Sequence, residues 1–318
     1  MTKIALILGI TGQDGAYLAR YLLNLKYKIF GTSRDSQICD TSRLERLGIS
    51  NNITILSLAL NDFRSVLKVI TNVNPDEIYN LSGQTSVSLS FEQPIEAMES
   101  IANGTLNLLE VIRCFNKNIR FFNAGSSESF GNTKKFAANE ETKLRPRSPY
   151  AVAKSTATWH VSTYRESYDL FACTGFLSNH ESVLRHDRFV TKKIINGVKK
   201  IKNGKLDKLK IGNIDIYRDW GWAPKYVEAM YLMLQNKYPE DYIIATGKTT
   251  SLRYFVQKSF EIANLKIEKY LEISDVFKRP SDLEYSSLNP NKIFQELNWE
   301  CTLSVDQIIE KMYQEELY

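Results

Sequence analysis

Cysteine is scarce in this chain: four residues in 318, at positions 39, 114, 173 and 301, with no Cys-x-x-Cys pair among them. Such spacing excludes a disulfide framework and a structural zinc site, and it leaves isolated thiols, three of which lie in or beside apolar stretches and read as core residues. Histidine is scarcer still. His160, His180 and His186 are too scattered for a histidine-rich centre, so no metal is expected. No apolar run approaches the ~18 residues of a membrane span. Met1-Thr2-Lys3 and the five apolar residues after it are too short for the core of a secretion signal, so the expected compartment is the cytoplasm. Low-complexity segments and internal repeats are lacking too. With 43% of residues in the AVILMFWYC set and 24% charged, there is ample material for a large core, and disorder of the whole chain is excluded.

The net charge of +5 is unevenly placed. Between Lys192 and Lys210 eight lysines stand against one acid, Asp207, so this stretch carries +7 and the rest of the chain −2. Ile194, Ile195, Val198 and Ile201 recur at helical spacing, which predicts one apolar face with the lysines mostly turned to solvent. No zinc-finger spacing or RNA-binding aromatic signature accompanies them, so no nucleic-acid partner is expected; a specific anion contact by one lysine is the alternative reading.

Short apolar runs at 3–8, 28–32, 53–58, 77–82 and 119–124 read as strands, and 170–177 as a sixth. Amphipathic stretches at 15–25, 63–73, 95–116 and 150–168 read as the helices between them, with a loop over 132–149. Strand and helix alternating at this spacing imply βαβ units and an α/β, Rossmann-type doubly wound parallel sheet. Beyond 185, short strands and helices mix, as in a smaller α/β substrate-binding lobe on the sheet edge. The division expected is 1–178 for a dinucleotide-binding domain, with some return of later chain to it, and 179–318 for the lobe. Ligands of such folds sit beyond the carboxyl ends of the strands.

Gly9-Ile10-Thr11-Gly12-Gln13-Asp14-Gly15 joins the first strand to the first helix. The glycines at 9, 12 and 15 suit a tight turn, a close approach to a diphosphate and close helix–strand packing, and the helix N-terminus adds free N–H groups. The second strand ends in Thr32-Ser33-Arg34-Asp35. Arg34 favours the 2′-phosphate of NADP; Asp35 keeps NAD in play. Two tyrosines precede a lysine by four residues, Tyr150/Lys154 and Tyr254/Lys258. The first pair follows a strand ending Ala124-Gly125-Ser126-Ser127-Glu128, where side chains would face a nicotinamide, and an ammonium one turn away should lower the phenol pKa toward that of a useful base. The second pair lacks such a partner and reads as surface.

Gly9–Gly15, Arg147-Ser-Pro-Tyr-Ala-x-Ala-Lys154, Asn179-His-Glu-Ser182, Phe189-Val-Thr191 and Arg218-Asp-Trp-Gly221 together resemble the extended short-chain dehydrogenase/reductase superfamily, and within it the bacterial GDP-mannose 4,6-dehydratases, from Lys3 to about Trp299. The resemblance implies catalysis by Ser126, where the family has threonine, with Glu128, Tyr150 and Lys154. It implies a cofactor held by Gly9, Thr11, Gly12, Gln13, Asp14, Gly15, Arg34, Leu81, Tyr150, Lys154, His180 and Arg185. A GDP-sugar would be held by Asn179, Lys193, Arg218, Arg279 and Glu284. A homo-oligomer, dimer or tetramer, is implied as well, with segment 35–46 and Arg185 near neighbouring cofactor sites. Three departures stand out: Asp35 for a second arginine, Ala59 for an aspartate near the adenine, and Tyr285–Asn289 for a glycine-rich segment. They leave NAD and a GDP-heptose substrate as alternatives, with an epimerase or 4-ketoreductase behind them and a non-catalytic NADP-sensing module last. Glu128 argues for the dehydratase, because only that reaction needs a further base for the sugar's C5 proton.

Overall fold

The computed structural model describes residues 2–134, 136–274, 276 and 280–318. Its strands, in chain order, are β1 (Ile4–Leu8), β2 (Lys28–Ser33), β3 (Ile53–Ser57), β4 (Glu77–Asn80), β5 (Arg120–Ala124), β6 (Ala172–Leu177), β7 (Asn179–Glu181), β8 (Leu209–Ile211), β9 (Tyr217–Trp222), β10 (Tyr242–Ile244), β11 (Thr249–Ser251) and β12 (Leu271–Ile273). Seven of these form a parallel sheet in the order β10-β6-β5-β4-β1-β2-β3. Strand order reverses between β1 and β4, which opens a crevice at the carboxyl ends of those strands. The expected Rossmann-type α/β architecture is therefore present.

The sheet is apolar on both sides because helices cover both. Along β1, Ala5 and Ile7 point into one cluster with Tyr17, Leu18 and Leu22 of helix Gln13–Asn24, while Leu6 and Leu8 point into another with Val66 and Ile70 of helix Phe63–Val73. Local signals set the helix ends. Asp62 accepts hydrogen bonds from the N–H groups of Arg64 and Ser65, and Asn74 ends the same helix in the left-handed region. The stretch read as a helix over 95–116 runs Pro94–Ala97, then a π-type segment Met98–Asn103, then Gly104–Phe115.

The later chain does two things. β10 returns to the main sheet as its edge strand beside β6. The remainder builds small sheets, β11-β9-β7 and β12-β8, packed beside helices Val190–Lys202 and Leu252–Ile262. Helix Val190–Lys202 keeps most of the nearby lysines at least partly exposed, with one exception: Lys192 is buried, and its Nζ donates to the Val183 carbonyl at 2.9 Å. Of the cysteines, Cys173 and Cys301 are buried, Cys39 is half-buried and Cys114 is exposed. Among the described residues no helix is long and apolar enough to cross a membrane, and no group of three or more His, Cys, Asp or Glu could hold a metal ion.

Candidate active site

At the carboxyl ends of β4, β5 and β6, between the sheet and the small sheets, lies a cleft of about 610 Å³. One end is built by the glycine turn. Gly9 has φ +79°, and a Cβ there would lie 2.8 Å from the Leu81 carbonyl oxygen; a Cβ on Gly15 would lie 2.4 Å from the Gly9 oxygen. The turn therefore brings β1, helix Gln13–Asn24 and the end of β4 closer together than any side chain allows. No side chain caps that helix, so its first-turn N–H groups are not claimed by one. Such a cradle fits the diphosphate of a dinucleotide.

Asp14 projects from the turn into the cleft. Its Oδ2 lies 2.9 Å from His180 Nε2, while Gln13 Nε2 donates to Asp14 Oδ1 and to the His180 carbonyl, and Ser182 Oγ donates to Gln13 Oε1. The turn is thus fastened to β7. Burial would raise the Asp14 pKa, but the His180 ring and the hydrogen bonds from His180 and Gln13 hold it down at about 2.

The four candidate catalytic side chains come from the end of β5 and from helix Pro149–Tyr168. Past Ala124 the chain makes a tight turn, Ser127–Phe130, in which the Glu128 N–H donates to Ser126 Oγ at 3.3 Å; one turn sets both side chains at the cleft. Ser148 caps the helix through the Ala151 N–H, Pro149 opens it, and Tyr150 and Lys154 follow on one face. Lys154 Nζ donates to the Ala124 carbonyl at 2.7 Å and lies 5.9 Å from the centre of the Tyr150 ring. The expected lowering of the phenol does not occur. Burial pushes Tyr150 up to about 12, against the opposing hydrogen bond with Ser126, and burial lowers Lys154 to about 8. Tyr254 and Lys258 are engaged elsewhere, with Asp306 and Glu261.

Leu81, Asn179, Arg185 and Lys193 also line the cleft, as does Arg218. Arg218 donates to the Tyr217 carbonyl at 2.9 Å and to Asp282 at 3.2 Å, and its Nε lies 4.0 Å from Glu128 Oε1. Gly9, Thr11, Gly12, Gln13 and Gly15 form the turn itself. Arg34 stands apart at the end of β2, its side chain 89% exposed and 3.8 Å from Glu96. Glu284 is exposed and outside the cleft lining. Arg279 lies outside the described residues. Asp282, Arg188 and the stretch Thr85–Leu89 line the cleft without having been singled out in the sequence. Asp282 pairs with Arg218, 64 residues earlier, a contact that local spacing does not reveal.

Comparison with known proteins bears on this arrangement. The profile of the GDP-mannose 4,6 dehydratase family matches residues 6–312. GDP-mannose 4,6 dehydratase 1 of Arabidopsis thaliana is 39% identical over 325 residues, covering 99% of this chain and 90% of the relative. This chain belongs to the GDP-mannose 4,6 dehydratase family. The dehydratase of Cricetulus griseus is likewise 39% identical, covering 98% of this chain and 91% of its own. Among solved structures, dTDP-glucose 4,6-dehydratase of Bacillus anthracis in complex with NAD superposes with a TM-score of 0.85 at 19% identity, over 98% of this chain and 96% of that one. At that identity the likeness speaks for the fold of this family member.

Proposed function

We propose that this protein is a GDP-mannose 4,6-dehydratase that turns GDP-mannose into GDP-4-keto-6-deoxymannose with a bound nicotinamide cofactor. The observation that carries the reading is the tight turn after β5, which puts a hydroxyl and a carboxylate, Ser126 and Glu128, in one cleft with Tyr150 and Lys154. Membership of the family supports the substrate. The glycine turn, with Asp14, Leu81, His180 and Arg185, would hold the cofactor. A bound oxidised nicotinamide would supply a positive charge and a hydride acceptor for C4, returned as a donor for C6. Tyr150 takes the C4 hydroxyl proton, Ser126 hydrogen-bonds the same oxygen, and Lys154 holds positive charge in the buried site below pH about 8. The 4-ketone so formed acidifies C5. Glu128 removes the C5 proton and passes it to the C6 hydroxyl, which leaves as water, and the proton taken up by Tyr150 balances the one returned to C5. Asn179, Lys193 and Arg218 also line the cleft, where two cations suit a diphosphate. Incubation with GDP-mannose should give a product lighter by one water with no net change in nicotinamide absorbance. A product of unchanged mass would overturn the assignment.

NADP rather than NAD is the cofactor of this reading. Arg34 extends into solvent at the end of β2, where a guanidinium can make charge-assisted bonds to a 2′-phosphate. Arg34→Ala should weaken NADP about tenfold or more and leave NAD nearly unchanged, because a charge-assisted hydrogen bond contributes about 1.5–3 kcal/mol. Equal losses in a fluorescence titration of both cofactors would remove Arg34 from this role.

The functional particle of this reading is a homo-oligomer in the cytoplasm. Arg43 in segment 35–46 donates to the carbonyls of Leu184 and Thr11, so this segment, the Arg185 loop and the glycine turn form one contiguous surface beside the cofactor cradle. Light scattering should return a multiple of 36.5 kDa. A monomer at micromolar concentration with NADP present would rule it out.

A further inference from the structure

His180 has two ring contacts, and both partners accept. Nδ1 lies 2.7 Å from the Ser178 carbonyl and Nε2 lies 2.9 Å from the Asp14 carboxylate. A carbonyl has no hydrogen to give, and neither has an ionised carboxylate, so each ring nitrogen must carry its own. The ring is buried and stacked on Tyr226, with centres 4.7 Å apart, an aromatic face that suits a cation. The charged and titratable groups around it come from every neighbouring element. Asp14 stands on the glycine turn, Arg185 on the loop after β7 and Tyr226 on helix Ala223–Gln235, while Asp219 on β9 is joined through Ser178, whose Oγ donates to it at 2.9 Å. Asp14 and His180 share the cleft with Tyr150 and Lys154.

We infer that His180 is a charged imidazolium that cancels the Asp14 carboxylate and so keeps that charge from raising the barrier to ionising Tyr150. It is a positioning residue. It fastens the glycine turn to β7 and sets the electrostatic field at the phenol, and it passes no proton. Several shifts agree with the geometry. Burial opposes the charge on His180, yet Asp14 draws its pKa upward; at Tyr150, burial, Glu128 and Asp14 all act to raise the phenol, while Ser126 and Arg185 act to lower it. An uncompensated carboxylate in a buried cleft disfavours a phenolate by like-charge repulsion.

The inference rests on Tyr150 being the base, so its test has one arm independent of turnover. Histidine-selective nitrogen-15 spectra of the full-length protein at pH 8 should show one ring with hydrogens on both nitrogens. The other two should be neutral, since burial lowers the pKa of both His160 and His186. His180→Gln should delete the charged ring, and Asp14→Asn should make it neutral. A neutral His180 ring in the wild type overturns the inference whatever the activity shows. In the second arm, His180→Gln should move the acid limb of the kcat profile up by about one pH unit, and adding Asp14→Asn should bring it back. Lower kcat with an unmoved limb would mean that His180 is only structural, which also overturns the inference. Should His180→Gln fail to fold, the wild-type and Asp14→Asn spectra decide. If Tyr150→Phe keeps its activity, the functional reading fails, and the ring spectra still report on the charge pair.

Discussion

Tyr150→Phe should abolish turnover and, with it, any build-up of reduced cofactor. Only the phenolic hydroxyl is removed, and on the proposed mechanism its oxygen receives the C4 proton. Loss of a general base costs ~10²–10⁴ in rate. Since the chain's own groups hold the buried phenol up at about 12 and leave Lys154 at about 8, the ground state at neutral pH is a phenol beside an ammonium bonded to Ala124. Ionising Tyr150 therefore depends on positive charge near it. The sign follows: wild-type kcat should rise with pH across the neutral range, and fall again where Lys154 loses its proton. Tyr150→Phe should show neither limb, and a rapid-mixing absorbance trace should stay flat. Reduced nicotinamide forming in that variant at the wild-type rate would take Tyr150 out of the first step.

How far the sequence reaches is plainest at the strands. β1 to β6 lie within two or three residues of their expected bounds, because a buried parallel strand must be apolar along its whole length. Helix Phe63–Val73 carries its own start and stop in Asp62 and Asn74, which is why 63–73 could be read without any tertiary contact. β10 could not. Three residues, Tyr242-Ile-Ile244, carry no local signal for a sheet whose neighbouring strand lies some seventy positions earlier. Lys192, the buried exception among the lysines, was beyond reach for a related reason. Helical spacing places it by its own helix, whereas burial is decided by the Val183 carbonyl packed against it.

In the site, residues joined by short spacing were legible: the glycine turn, Ser126 with Glu128, and Tyr150 with Lys154. Side-chain direction was not. A Tyr-x-x-x-Lys spacing brings two groups to one face of a helix, but it does not reveal that the lysine would spend its hydrogen bond on Ala124. Contacts between distant segments were beyond reach altogether. Asp14 meets His180 across 166 residues, and Arg218 meets Asp282 across 64. Both pairs join charges, and charge pairing across such distances follows only from the packed fold.

The second large effect belongs to Glu128→Gln, and it should fail at a different point from Tyr150→Phe. Glutamine keeps the size of the side chain and leaves the backbone N–H that meets Ser126, so the turn Ser127–Phe130 should persist. What is lost is the base. On the proposed mechanism oxidation at C4 uses Tyr150, Ser126, Lys154 and the cofactor but not Glu128, so the variant should still form a 4-keto sugar and reduced nicotinamide. It should then stall, with elimination slowed ~10²–10⁴-fold. In deuterated water the stalled sugar should keep its C5 hydrogen, because no group remains to exchange it. Arg218, 4.0 Å from Glu128, sharpens the test. If the carboxylate served only to pair with Arg218, Glu128→Gln would weaken GDP-sugar binding and raise KM while elimination kept pace with oxidation. A stall with bound reduced cofactor and an unexchanged C5 separates the two roles. Water loss at close to the wild-type rate would mean that another group removes the C5 proton, and the dehydratase chemistry of this cleft would need a different base.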